Sequence, residues 1–283
     1  MIVTDAIAAV RAVRQTEASL SWGFVPTMGY LHDGHLALVR AARRENDRVA
    51  VSIYVNPTQF APSEDLASYP RDLERDLDLL QNAGVDLVFT PDDTVMYPPG
   101  FQTAVVVREV SQPLEGRSRP THFEGVATVV AKLFNIVQPH RAYFGQKDAQ
   151  QTVVLSQMVR DLNFDIDLVV CPIVREADGL ALSSRNKYLD PDQRTAAVVL
   201  SRALAAAEAA FVAGERSAAA LRSKMKEIIA AEPLARLDYV STADPATLKE
   251  ADQIATEGRV LLSMAVFVGQ TRLIDNRLLT GEV

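Results

Sequence analysis

The feature that most restricts how this chain can fold is the alternation of short apolar runs with amphipathic segments up to Val174. Trp22–Val25, Val49–Val55, Leu87–Thr90, Ala142–Phe144 and Ile166–Val170 read as strands. Leu36–Arg44, Arg71–Asn82, Gly125–Val137 and Asp148–Asp161 read as helices between them. A further helix over Asp5–Thr16 carries Ile7, Val10 and Val13 at helical spacing, with Thr4 or Asp5 as cap. Strands that alternate with helices must run parallel and connect by right-handed crossovers. The pattern therefore predicts a Rossmann-like, doubly wound parallel sheet, an α/β fold in which ligands bind beyond the carboxyl ends of the strands. After Val174 the pattern changes. An alanine-rich helix over Pro191–Val212 ends near Gly214, and a second helix covers Ala218–Ala231. Leu237–Thr242, Val260–Val268 and Thr271–Ile274 then read as strands, the last two joined by a hairpin at Val268-Gly269-Gln270-Thr271. We expect a Rossmann-like domain over 1–174 and a smaller C-terminal α+β domain over 175–283, with the junction contributing to the site.

With 283 residues, 48% of them hydrophobic, the chain can bury a large core. Its 29 Lys and Arg against 36 Asp and Glu give a formal net charge of −7. That balance argues against nonspecific nucleic-acid or membrane binding, while leaving room for a local basic pocket. The single cysteine, Cys171, excludes an intrachain disulfide and a cysteine-built zinc site. Its place after Ile166–Val170 reads as a buried strand residue. Met1–Asp5 shows no basic start before a long apolar run, and no apolar run is expected to reach the length of a membrane span. A soluble, cytoplasmic protein is the expectation.

The chemistry points to one turn. Pro26-Thr27-Met28-Gly29-Tyr30-Leu31-His32-Asp33-Gly34-His35 lies between the Trp22–Val25 strand and the Leu36–Arg44 helix. Backbone N–H groups at a helix start, with the helix dipole, favour phosphate. Two imidazoles there can donate to a phosphate whose charge grows during displacement. An HxGH turn in this setting points to attack on the α-phosphate of a nucleoside triphosphate. Gly145-Gln146-Lys147-Asp148 makes a second strand-to-helix turn, where Lys147 offers a point charge for phosphate or equally a solvated surface group. Ser183-Ser184-Arg185-Asn186 follows Asp178-Gly179, and its hydroxyls and guanidinium can bind several phosphate oxygens or form a polar loop. Gln59, after the Val49–Val55 strand, and Gln150-Gln151, one turn into a helix, offer amides to a hydroxylated acid or simply to solvent.

Taken together, these segments resemble the pantoate–β-alanine ligase family along nearly the whole chain. The resemblance runs through Pro26–Gly29, His32–His35, Val55–Phe60, Tyr69-Pro70-Arg71, Leu114-Glu115-Gly116 and Arg119-Pro120. It continues in His122-Phe123, Gly125-Val126, Thr128–Val130, Lys132–Phe134, Phe144–Asp148, Asp178–Ala181 and Ser183–Asn186. It departs at Leu182, where the family often has methionine, and at Glu176-Ala177, where it often has a valine-containing segment. Neither change removes a group capable of phosphate chemistry. The resemblance implies joining of pantoate to β-alanine, with ATP cleaved to AMP and pyrophosphate through a noncovalent pantoyl adenylate. It also implies Mg²⁺ and a homodimer. By position, Met28, Gly29, Tyr30, Leu31, His32, Asp33, Gly34 and His35 would line the ATP site. Gly145, Gln146, Lys147, Asp148, Val174, Leu182, Ser183, Ser184 and Arg185 would complete it. His35, His32 and Lys147 would be catalytic, with His35 as proton donor, and Gln59 and Gln151 would hold pantoate and β-alanine. Asp76 is a candidate metal ligand, and polar segments such as Ala61–Ala67 would close over the adenylate. Competing readings are another HxGH adenylyl- or cytidylyltransferase, a class I aminoacyl-tRNA synthetase, and a non-catalytic nucleotide sensor.

Overall fold

The computed structural model describes residues 1–61, 64 and 66–281. The chain divides into two compact units, one of Met1–Gln146 with Val154–Pro172 and one of Lys147–Val153 with Ile173–Val283.

The first unit is built on a six-stranded parallel sheet. Its strands are β1 (Ile2–Thr4), β2 (Trp22–Thr27), β3 (Arg48–Ile53), β4 (Leu87–Phe89), β5 (Arg141–Gly145) and β6 (Asp167–Cys171), in the order β1-β4-β3-β2-β5-β6. The short edge strand β1, which pairs with β4, is not among the strands expected above. Three exposed-to-intermediate residues carry too little periodicity to announce a strand. The central strands are apolar on both faces, as buried parallel strands are: in β2, Trp22, Phe24 and Val25 are wholly buried.

Between the strands lie α1 (Ile7–Thr16), α2 (Asp33–Glu45) and α3 (Leu73–Asn82). The short α4 (Asp93–Met96) and α5 (Glu115–Ser118) and the long α6 (His122–Val137) occupy the connection from β4 to β5. Leu38, Val39 and Ala42 of α2 and Leu80 of α3 share one cluster with Val25, Val51 and Val88 of the sheet. Arg14 of α1 donates to the carbonyls of Val137 and Gln138, capping the end of α6, and lies over the Trp22 ring. The helix α7 (Ala149–Asp161) follows a single 3-10 turn over Gln146–Asp148, rather than starting at Asp148.

From β2 the chain winds outward through β3 and β4, whereas β5 and β6 lie on the other side of β2. The winding therefore reverses between β2 and β5, which pair through Gly23–Arg141 and Phe24–Ala142. The carboxyl ends at such a reversal are where a doubly wound sheet offers a crevice. The Met28–His35 turn leaves one of them.

The second unit carries an antiparallel sheet of β7 (Ala235–Ala243), β8 (Arg259–Val268) and β9 (Thr271–Thr280). The expected hairpin is present: Val268 pairs with Thr271, and Gly269 turns the chain at φ +58°. The helical run Pro191–Val212 proves long and apolar enough by composition to cross a membrane, contrary to expectation. It is two helices, α8 (Pro191–Ala196) and α9 (Val199–Val212). Its Leu200, Leu204 and Phe211 pack in the core with Leu221 and Met225 of α10 (Ala218–Ala230) and Met264 of β8. Asp190 and Gln193 cap each other at the start of α8.

Candidate active site

At the end of β2 the chain makes a turn that Gly29 permits and Tyr30 opposes. Gly29 sits at φ +81° and Tyr30 at φ +50°, both left-handed. A non-glycine residue there costs about 1–2 kcal/mol. The cost is offset by Asp76 of α3, only 1% exposed. Its Oδ2 accepts from the Tyr30 backbone N–H at 2.6 Å and its Oδ1 from that of Leu31 at 2.7 Å. Burial raises the Asp76 carboxyl above the ordinary carboxylate range, against the pull of these two hydrogen bonds. Thr27 secures the other side, accepting from the Gly29 N–H and donating to the Ser52 carbonyl of β3.

The turn delivers two imidazoles to the start of α2. His32 is the N-cap: its Nδ1 accepts from the Gly34 backbone N–H at 3.1 Å. His35 reaches back, its Nδ1 accepting from the His32 N–H at 3.3 Å. The rings lie 4.0 Å apart, centroid to centroid. Because each Nδ1 accepts, each neutral ring carries its proton on Nε2. Two N–H donors are thereby held at a helix N-terminus, where an oxyanion is favoured.

Gln59 closes a 3-10 turn, Pro57–Gln59, after β3. Its Nε2 donates to the Met28 Sδ at 2.8 Å, which joins this segment to the histidine turn. Asn56, 1% exposed, holds the turn by donating to the Gly125 carbonyl and accepting from Thr58 and from Tyr97 Oη. The Gln59 carbonyl accepts from His122 Nδ1 at 2.8 Å and from Arg119 at 3.3 Å. Burial first, and then the Arg119 charge, lower the His122 pKa to about 4, so this ring is neutral near pH 7.

In the second unit, Asn276 of β9 donates to the Lys147 carbonyl at 2.9 Å. Arg175 pairs with Asp275 through two bonds of 2.7 and 2.8 Å and donates to the Gly179 carbonyl. Arg175 and Ala181 bridge, and the Leu182 N–H meets the Val174 carbonyl, so Val174 and Leu182 lie side by side. Ser183 caps the 3-10 turn Ser184–Tyr188, its Oγ accepting from the Arg185 N–H. The expected nucleotide segment here is thus an ordered loop tied at its base through Arg175, Asp275 and Asn276.

The first unit brings together Met28 to His35, Gln59 and Asp76. The second holds Lys147, Asp148, Val174, Leu182, Ser183, Ser184, Arg185 and the half-buried Gln151. Asp76, the candidate metal ligand, is found holding the histidine turn. Both of its oxygens are committed to backbone N–H groups, and the reason is tertiary: α3 packs its first turns under the Gly29–Leu31 turn. Among the described residues no group of three or more His, Cys, Asp or Glu side chains is placed to hold a metal. Asn56, Arg119 and His122 lie in segments that carry the family resemblance but were given no role from sequence, and the Arg175–Asp275 pair was passed over. The scarcity of histidine, four in the chain, and the family-matching block His122-Phe123 were the signals for His122. The Ala61–Ala67 segment includes Pro62, Ser63 and Asp65, which lie outside the described residues.

A reversing parallel sheet with an HxGH helix start defines a nucleotide-dependent α/β enzyme. The profile of the family described as Pantoate-beta-alanine ligase matches residues 2–278. The chain belongs to this family and is an enzyme, an AMP-forming ligase. It is 63% identical over 274 residues to the pantothenate synthetase of Chloroflexus aurantiacus, covering 96% of this chain and 97% of that one. It is 59% identical over 280 residues to that of Moorella thermoacetica, covering 98% of each. The crystal structure of pantothenate synthetase from Thermus thermophilus superposes with a TM-score of 0.92 at 50% identity, over 98% of this chain and 99% of that one. A Francisella tularensis pantoate–β-alanine ligase, solved with β,γ-ATP and β-alanine, superposes with a TM-score of 0.79 at 34% identity, over 98% and 97%.

Proposed function

We propose that this chain condenses pantoate with β-alanine at the expense of ATP, releasing AMP and pyrophosphate, through a noncovalent pantoyl adenylate. The carrying observation is the reciprocal capping of His32 and His35, which aims two Nε2–H donors from the start of α2. In this reading the pantoate carboxylate attacks the α-phosphorus and pyrophosphate leaves. His32 and His35 donate to oxygens that gain charge in the transition state. Gln59 and Gln151 hold pantoate. Lys147, Ser183, Ser184 and Arg185 bind the nucleotide phosphates, Lys147 acting also in turnover. The amine of β-alanine then attacks the mixed anhydride, and AMP leaves. Covalent catalysis through Cys171 finds no support, since burial raises that thiol.

Mg²⁺ belongs to the same proposal as a companion of the ATP phosphates, which commonly supply much of its coordination. The described side chains offer it no cage of their own, and no step above depends on it. A homodimer is supported by the family resemblance alone, and a cytoplasmic location by the reading of the sequence. Pantoate labelled with oxygen-18 in its carboxylate tests the mechanism: label should enter AMP, and adenylate should accumulate without β-alanine. Label in inorganic phosphate, with ADP as product, would mean an acyl-phosphate route.

A further inference from the structure

His122 is a half-buried imidazole that the proposed chemistry does not use. A guanidinium can only donate, so the Arg119–His122 Nε2 contact at 3.2 Å makes Nε2 an acceptor and leaves the ring proton on Nδ1. That proton points at the Gln59 carbonyl, 2.8 Å away. The other three histidines of the chain, all described, take the opposite form: His32 and His35 accept at Nδ1, and so does His140, from the Trp22 N–H. Arg119 is in turn held by Glu64 through two bonds of 2.6 and 2.7 Å, with Glu115 on its far side at 4.0 Å. Two donors of different origin thus converge on one backbone carbonyl. One helical turn further along α6 the same 3-10 turn packs closely, where a Cβ on Gly125 would stand 2.4 Å from the Thr58 carbonyl oxygen.

The held turn carries a side chain with an underused donor. Gln59 Nε2 donates to a thioether, a weak acceptor, and its Oε1 accepts a long 3.3 Å bond from Asn56. A carboxylate or hydroxyl oxygen would be a better partner for that Nε2, provided the amide is already aimed. We propose that His122 and Arg119 are positioning residues for the acid substrate, fixing the Gln59 backbone so that its side-chain amide is presented to pantoate. This rests on the reading that Gln59 binds pantoate.

The test pairs steady-state kinetics with histidine side-chain NMR of the full-length protein. His122→Ala should raise the pantoate KM about tenfold, the cost of one lost hydrogen bond, with the ATP KM unchanged and kcat within about threefold. His122→Asn, which can donate from near the Nδ1 position, should recover most of the loss. Gln59→Ala should raise the pantoate KM by itself, and adding His122→Ala to it should do no more. In wild-type protein, long-range ¹H–¹⁵N spectra should show the His122 ring protonated at Nδ1 and the other three at Nε2. An Nε2-protonated or mixed His122 overturns the proposal even if the alanine variant does not fold. So does a defect spread equally over ATP and pantoate. A normal pantoate KM in His122→Ala beside a raised one in Gln59→Ala removes the positioning role and leaves Gln59 as a ligand. Normal pantoate dependence in Gln59→Ala removes both.

Discussion

Replacing Asp76 by asparagine should disable the nucleotide turn without touching any residue proposed to contact substrate. The wild-type carboxylate accepts two backbone N–H groups at 2.6 and 2.7 Å, in a turn whose Gly29 and Tyr30 adopt left-handed backbone. An asparagine amide can accept only one of them, and its NH₂ then faces the other N–H at hydrogen-bond distance. One charge-assisted bond is lost and a buried donor is left unpaired, together about 2–4 kcal/mol. With the adenylation site proposed at this turn, kcat/KM for ATP should fall about 30- to 1000-fold. Melting should drop by about 4–16 °C, since about 2–4 °C accompany each kcal/mol in a unit of this size. Asp76→Ala, which strips both acceptors, should be worse. The assay is pyrophosphate release over a matrix of ATP and Mg²⁺ concentrations, with circular dichroism melting alongside. Wild-type melting and kinetics in Asp76→Asn would refute the reasoning. Restoration of activity by excess Mg²⁺ would instead return Asp76 to the role of metal ligand.

Other outcomes follow from the same geometry. His35→Ala should fold and bind ATP, yet form adenylate about 10²–10³-fold more slowly, measured by single-turnover pyrophosphate release. His32→Ala should show a similar kinetic loss and lose about 1 kcal/mol of stability as well, because it removes the N-cap of α2. Lys147→Ala should weaken ATP binding and turnover together. Arg185→Lys should be nearly as harmful, because an ammonium cannot make bidentate contact; wild-type kinetics in both would place the phosphates elsewhere. Gly125→Ala, which on an open helix would stabilise, should destabilise and raise the pantoate KM, because its Cβ would meet the backbone of Thr58 and Gln59 at 2.4 and 2.7 Å. The His122 pKa falls from 6.5 to about 4 on folding, so the unfolded chain binds the extra proton between these values. The neutral ring's contribution is therefore whole above about pH 6.5 and is lost as pH falls toward 4, by up to about 3 kcal/mol. Urea titrations across that range should show a shallower loss in His122→Asn than in wild type.

Some of this protein was decided by sequence alone, where a signal was local or periodic. Buried parallel strands must be apolar on both faces, so Trp22–Val25 and Val49–Val51 were legible as strands. Gly269 between two apolar runs marked the hairpin. His32 and His35 were legible because they flank a glycine between a strand and a helix, while their reciprocal capping came from the structure. What tertiary structure decided were contacts between residues far apart in sequence, which leave no periodic trace. Asp76 reads from sequence as a candidate metal ligand, and only packing aims it at the backbone of Tyr30 and Leu31. His122 and Arg119 acquire their roles only when α6 closes on the Pro57–Gln59 turn. The Pro191–Val212 run satisfies a membrane span by composition, and only its burial with α10 and β8 shows where its apolar surface goes. The alternation of strand and helix determines which elements exist and in what order. Which buried polar group meets which depends on side chains converging in space, and that is set only when the elements pack.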